Sequence, residues 1–450
     1  MRMDRRDFLI SARFALLGAA PRTSLWPQTP SAPADVRLEI APLKLEIAPG
    51  KAIHTIAYNG GVPGPLIRWP EGKPITIDVV NRTNIPEILH WHGLWIPSVE
   101  DGAMEEGSPM IAPSGQRRYS FTPQPSGFRW YNTHTFAGHD LQRGTYTGQF
   151  GCFCIEPKQE PGAYDQEIFL TLHDWNAYMG GGGDTSMDAL YDYATINDRM
   201  LGHGDPIKAR EGQRVVFRVL NASATATHWL ALAGHEFTVV GMDGNAVPQP
   251  AKVPAVRLAP AERIDLLVEM TRPGVWVLGE TRAEIRKAGM GIVVEYANQQ
   301  GEPKWIDPPE TLWDYTLFAR REPMTVEPDE RVPLVFESKF RGHGDFDYWM
   351  INGKSFPKTD TIPLREGKHY RLVMRNKSSD DHPIHLHRHT FEVTNLDGKP
   401  LSALRKDVVV VKAKSNAEID FVAANPGATL FHCHQQSHMD FGFMMLFRYV

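Results

Sequence analysis

Apolar positions in this chain fall in short runs of Val, Ile, Phe, Tyr and Trp, broken by turn residues, among which Gly (38) and Pro (35) are abundant. Short runs bounded by turn formers read as strands, so the pattern predicts an all-β protein. The runs also repeat. A charged turn, a strand and an Asn recur as Glu71-Gly72-Lys73 to Asn81, Glu211-Gly212-Gln213 to Asn221, and Glu366-Gly367-Lys368 to Asn376. Ile196-Asn197-Asp198 and Ile351-Asn352-Gly353 precede the second and third copies. Those two copies stay in step afterwards: His235-Glu236-Phe237 and Met242-Asp243-Gly244 match His389-Thr390-Phe391 and Leu396-Asp397-Gly398 at a constant offset of 154. At that offset His228 falls on His382, while Ala231 and Ala233 fall on His385 and His387.

Each copy closes on a turn glycine and a strand. Gly127 leads to Asn132-Thr133-His134, Gly274 to Gly279-Glu280-Thr281, and Gly427 to His432-Cys433-His434. The repeat predicts three β-sandwich domains, at 35–160, 161–300 and 320–450, with a linker at 301–319. Metal-ligand residue types stand at the ends of the first and last copies only. A site built from both would lie between those two domains.

Length alone allows two to four domains. The formal charge of −5 on 450 residues makes no case for nucleic acid or a membrane surface as partner. Three Cys are too few for a disulfide framework. Cys152 and Cys154 lie two apart in a strand-like run, share a face and read as buried thiols. Residues 1–34 read as a leader: Arg5-Arg6-Asp7-Phe8-Leu9 is a twin-arginine pattern followed by a modestly apolar stretch, Ile10 to Ala20, which predicts export to the periplasm or the cell exterior. No later stretch has the ~20 uninterrupted apolar residues of a membrane span.

Four clusters carry imidazoles: His90-Trp91-His92; His134, with Asn132 two before; His382-Pro383-Ile384-His385-Leu386-His387; and His432-Cys433-His434 with His438. One His pair alone is most simply a polar core or surface feature. Four clusters at equivalent ends of a repeated unit read as metal ligands. On a strand, Cys433 faces one way and His432 and His434 the other. One strand then joins two metal centres, and an electron reaching a Cys-bound metal can leave through either His. Zinc favours closed sites with more Cys; one Cys among many His points to copper.

The His-Cys-His motif with its trailing His, together with the His-X-His pairs, resembles the three-domain multicopper oxidases of the laccase type over nearly the whole chain after the leader. The resemblance implies three consecutive cupredoxin-like Greek-key domains. It also implies about four copper ions, and the coupling of one-electron oxidation of a small substrate (phenol, aryl amine or metal ion) to reduction of O2 to water. Carried over residue by residue, it gives the type 1 copper to His382, Cys433 and His438, and the type 2 copper to His90 and His385. The type 3 pair takes His92, His134, His387, His432 and His434. Asp101 resembles the family's acid beside the type 2 copper; the alternative is a turn Asp before Gly102. Trp91, Trp95 and Trp130 flank ligands and read as packing.

The chain departs from the family pattern at two places. Asn132 stands where one more type 3 His is expected. Three outcomes are open: an Asn or water oxygen completes the site, His139 swings in, or a copper is partly absent. The axial position of the type 1 copper falls on Phe443, unless a one-residue slip brings in Met444. A family acid that follows the last type 1 His is here Met439, with Asp440 next. Two rival readings remain: a copper-binding or electron-transfer protein whose oxygen chemistry is impaired at Asn132, and a relative that has lost copper.

Overall fold

Strands dominate because the apolar runs are too short for helices and are stopped by Gly, Pro and Asn turns. The computed structural model describes residues 32–159, 162–180, 189–310, 312–322, 326–340 and 346–450; the twin-arginine pattern at Arg5-Arg6 lies outside them. The strands form six sheets, and each third of the chain contributes two. The first pair has four strands each, drawn from Val36–Ala48 through Phe150–Glu156; the second and third pairs have six and five. The fold is three consecutive cupredoxin-like β-sandwiches. Among the described residues no helix is long and apolar enough to cross a membrane.

The recurring Asn has a mechanical reason. Each one is buried at the end of its strand and donates through Nδ2 to main-chain carbonyls of two other segments: Asn81 to Ile85 and Ile111, Asn221 to Ala226 and Leu258, Asn376 to Asp380 and Val411. Its Oδ1 accepts from the residue two on, Thr83, Ser223 or Ser378. The side chain thus replaces strand partners that the turning backbone lacks. In the third sandwich the pinned turn delivers His382 into its strand.

The five-stranded sheets of the second and third sandwiches share one order. In the third it runs Ile362–Leu364, Met444–Tyr449, Ala428–Cys433, His382–Leu386, Val408–Val411; in the second, Ile207–Ala209, Gly291–Tyr296, Val275–Glu280, His228–Leu232, Val256–Leu258. The register matches too: Cys433 lies opposite Ile384, and Glu280 opposite Leu230. In the first sandwich, Leu89–His92 pairs with Gly127–Thr133, setting His90 opposite Asn132 and His92 opposite Trp130. Phe128, Trp130 and Phe150 of the first sandwich, Trp175, Met200 and Leu220 of the second and Val408 of the third share one apolar cluster. The three sandwiches therefore meet directly behind the His-bearing strands.

Candidate metal centre

Cys433 ends its strand with its Sγ 3.7 Å from His382 Nδ1 and 3.4 Å from His438 Nδ1, and the two imidazole nitrogens are 3.1 Å apart. His438 comes from the short helix Gln436–Asp440, one turn past the strand. His382 Nε2 lies 2.8 Å from Ser378 Oγ, leaving Nδ1 to face the sulfur. Phe443 packs its ring 4.6 Å from that of His382, and the ring of Trp349, which the sequence did not single out, lies tilted 3.9 Å from that of His438. Met444 belongs to another cluster, with Ala103, Leu430 and Met439. The ring packed on His382 is therefore that of Phe443, because neighbouring residues at the start of a strand face opposite ways.

On the other side of the same strand, seven imidazoles converge. His387 Nε2 lies 3.0 Å from His432 Nε2. His134, His387 and His432 bring ligand atoms within 4.8 Å of one another, as do His90, His385 and His387. The His92 and His385 rings stack at 3.8 Å, and His434 lies 5.2 Å from His92. Asn132 shares the face of His90 and His92. Its Nδ2 donates to Thr133 O, and its buried Oδ1 has no partner.

These residues fit metal ions. His90 Nε2, His92 Nδ1, His385 Nε2 and both nitrogens of His134 are buried without a hydrogen-bond partner. Such groups are costly in a protein interior unless something else satisfies them. Burial first, then the neighbouring rings, hold His92, His385 and His387 well below the ordinary histidine range. His134, His432 and His382 are lowered likewise, and burial takes His434 and His438 down to about 3. Neutral imidazoles with free lone pairs are ready ligands. Burial pushes the Cys433 thiol up, which a bound cation would reverse.

Asp101 is both a turn residue and a member of the centre. It ends the short helix Ser98–Asp101 ahead of Gly102, whose φ is +91°. A Cβ at Gly102 would lie 1.8 Å from Leu89 O and 2.6 Å from His90 Cα. Only glycine lets the turn press against the His90 strand. Asp101 O then accepts from His90 Nδ1 at 2.8 Å, and Oδ2 from His387 Nδ1 at 2.7 Å. Sequence reasoning missed Glu106, whose Oε1 accepts from Leu430 N at 2.6 Å and lies 3.4 Å from His387 Nδ1. Burial, then the adjacent Asp101, raise the Glu106 carboxyl well above its usual range. It also missed Asp407, which touches His92 and His385. Glu106 follows Glu105 in a turn and Asp407 follows Lys406 at a strand end, and nothing in the local pattern marks either.

Other expectations resolve differently. His139 is exposed and packs on Phe441 and Phe346, away from the imidazole centre. Trp91 and Trp130 are buried packing, whereas Trp95 is a correction: it is 39% exposed and donates to Thr390 Oγ1. Asp440 caps a loop of the first sandwich, accepting from Ala137 N and Gly138 N at 2.9 and 2.7 Å. All three Cys are free and buried.

The middle sandwich shows what replaces the thiol site. Ser223, His228 and Glu280 occupy the places of Ser378, His382 and Cys433. His228 Nε2 donates to Asp174 Oδ2 at 2.8 Å and Nδ1 to Glu280 Oε2 at 3.1 Å. Burial opposes the charged ring, but Asp174 and then Glu280 outweigh it and hold His228 up at about 9. A folded-state value above the unfolded one, about 6.5, gives a contribution complete below pH 6.5 and lost as pH rises through about 9. Its size is on the order of 3 kcal/mol. The neighbouring His173, at about 4, does not titrate in that window. Denaturant titrations should therefore show wild-type stability falling between pH 6.5 and 9.5 and a His228→Gln variant changing much less; equal slopes would refute the imidazolium.

Family models described as multicopper oxidase match residues 39–160, 167–298 and 321–450. The chain is 29% identical to multicopper oxidase MmcO of Mycobacterium tuberculosis, covering 91% of this chain and 86% of that protein. It is 25% identical to laccase-1 of Thanatephorus cucumeris, covering 89% and 88%. Among solved structures, a multi-copper oxidase from Pseudomonas thermotolerans superposes with a TM-score of 0.73 at 24% identity, over 93% of this chain and all of that one (100%). A laccase from Botrytis aclada gives 0.77 at 21%, over 92% and 87%.

Proposed function

The chain belongs to the multicopper oxidase family, copper-dependent oxidoreductases with O2 as acceptor, and on that footing we propose that it oxidises a small one-electron donor (phenol, aryl amine or metal ion) and reduces O2 to water. The supporting observation is the back-to-back placement of Cys433, against His382 and His438, and of His432, against His387, on adjacent residues of one strand. Cys433, His382 and His438 would hold the type 1 copper, with the Phe443 ring packed against His382. His90 and His385 would hold the type 2 copper. His92, His134, His387, His432 and His434 would hold the type 3 pair, the Asn132 oxygen filling the remaining place, for about four ions per chain. Bound copper would supply the one-electron steps and the reduction of O2.

The chain's own residues do the rest. Cys433 and His432 share a peptide unit, so the two centres are linked covalently and at short range. Trp130, 1% exposed, packs its ring 5.0 Å from that of His92 and keeps the imidazole side dry, while Trp91 fills the core of the first sandwich on the opposite face. Asp101 Oδ1, buried without a partner, is placed to hold a proton for the oxygen chemistry. Asn132 favours a second reading, in which copper binds and electrons pass but O2 reduction is impaired. Export by the twin-arginine route rests on Arg5-Arg6-Asp7-Phe8-Leu9. The test is direct: copper-loaded protein should show strong visible absorption and a near-ultraviolet shoulder, and consume O2 with a phenolic substrate. Colourless copper-loaded protein would overturn the proposal.

A further inference from the structure

Behind the imidazole centre, where the three sandwiches meet, lies a buried set of charges. Arg129 comes from the first sandwich, Asp243, Glu262 and Arg263 from the second, and Lys406 and Asp407 from the third. Buried ion pairs are poor devices for stability, since desolvation offsets their attraction. Their position is more informative than their strength. Asp407 O accepts from His385 Nδ1 at 2.7 Å, and Asp407 Oδ1 accepts from His92 Nε2 at 3.2 Å.

A neutral imidazole has one N–H and one lone pair, and only the lone-pair nitrogen can bind a metal. The hydrogen-bond partner decides which nitrogen that is. With Asp407 taking His92 Nε2–H and His385 Nδ1–H, the nitrogens left over are His92 Nδ1 and His385 Nε2. Both are buried, unpartnered members of the centre. Asp101 does the same with the domains reversed: its main-chain oxygen takes His90 of its own sandwich, and its carboxylate takes His387 of the third. The two aspartates form a reciprocal pair across the first-to-third boundary.

They differ in what holds them. The Asp407 carboxylate is gripped by a guanidinium fork of the middle sandwich, Arg263 Nη1 to Oδ1 at 2.6 Å and Nη2 to Oδ2 at 2.5 Å, with Arg129 Nη1 at 3.3 Å. Asp243, also of the middle sandwich, accepts from Asp407 N and Val408 N at 3.3 and 3.1 Å. Gly93 leaves the room: with φ at +81°, a Cβ there would lie 2.5 Å from Asp407 Oδ2.

We propose that the middle sandwich, which supplies no ligand, acts on the metal centre through Arg263, with Asp407 as the positioning residue that selects the donor nitrogens of His92 and His385. The inference rests on the copper assignment above, which the visible absorption of the wild-type protein tests separately.

The experiment compares full-length, copper-loaded Asp407→Asn, Arg263→Lys and Lys406→Met proteins. Lys406 pairs with Asp243 and Glu262, so its variant loosens the same charge network and serves as the structural control. Asp407→Asn and Arg263→Lys should keep the visible absorption, weaken the near-ultraviolet shoulder and release copper to EDTA roughly 10–100-fold faster. Turnover should fall with the KM for the reducing substrate unchanged. Lys406→Met should lower the melting temperature and leave copper release alone. Wild-type release in Asp407→Asn would overturn the proposal. So would an equal effect of all three variants, or visible and near-ultraviolet bands that fade together.

Discussion

Replacing Cys433 with Ser should abolish the visible absorption and the O2 uptake of the copper-loaded protein together. The sulfur is 0% exposed and faces two imidazole nitrogens. A hydroxyl is a hard, weakly acidic donor and does not replace a soft thiolate at copper. The residue is also bonded directly to His432 and His434, the shortest covalent route from the thiol to the seven-imidazole centre. Losing it removes a ligand and the route at once, so turnover should drop by far more than the roughly 10–100-fold typical of losing a ligand's supporting residue. The buried hydroxyl costs about 1–3 kcal/mol, so a melting curve must accompany the assay. Folded protein that still consumes O2 would show that the strand is not the route.

The second large effect is expected at Asn132. Its Oδ1 is buried and unpartnered on the His90 and His92 face. Asn132→Ala removes the only donor at that position, and should lower copper per chain by up to one ion and O2 uptake by about 10–100-fold, with the visible absorption kept. Asn132→His restores an imidazole. If the native oxygen works as a ligand, this variant should turn over within about threefold of wild type, since a ligand of either kind fills the same coordination place. A sharp rise would show instead that the native protein is an electron-transfer form with impaired oxygen chemistry.

The repeat made the three sandwiches legible, because a strand must alternate faces and end on turn residues, and those signals are local. The His clusters were legible for the same reason: i and i+2 on a strand share a face. Asp407, Glu106 and Arg263 were not. Each reaches the centre from a different segment, and an isolated acid or base carries no periodicity. Glu280 is the converse case, visible as a departure from His-Cys-His but interpretable only once Asp174 was seen beside His228.

What the sequence by itself determined is which atoms are available: a thiol flanked by imidazoles, an Asn where another His would be expected, and three copies of one unit. Only the tertiary structure decided which nitrogens of His90, His92 and His385 are left without a partner, that the Phe443 ring packs against His382, and that Arg263 of the middle sandwich holds the Asp407 carboxylate. Those choices depend on contacts between residues hundreds of positions apart, and nothing local along the chain encodes them.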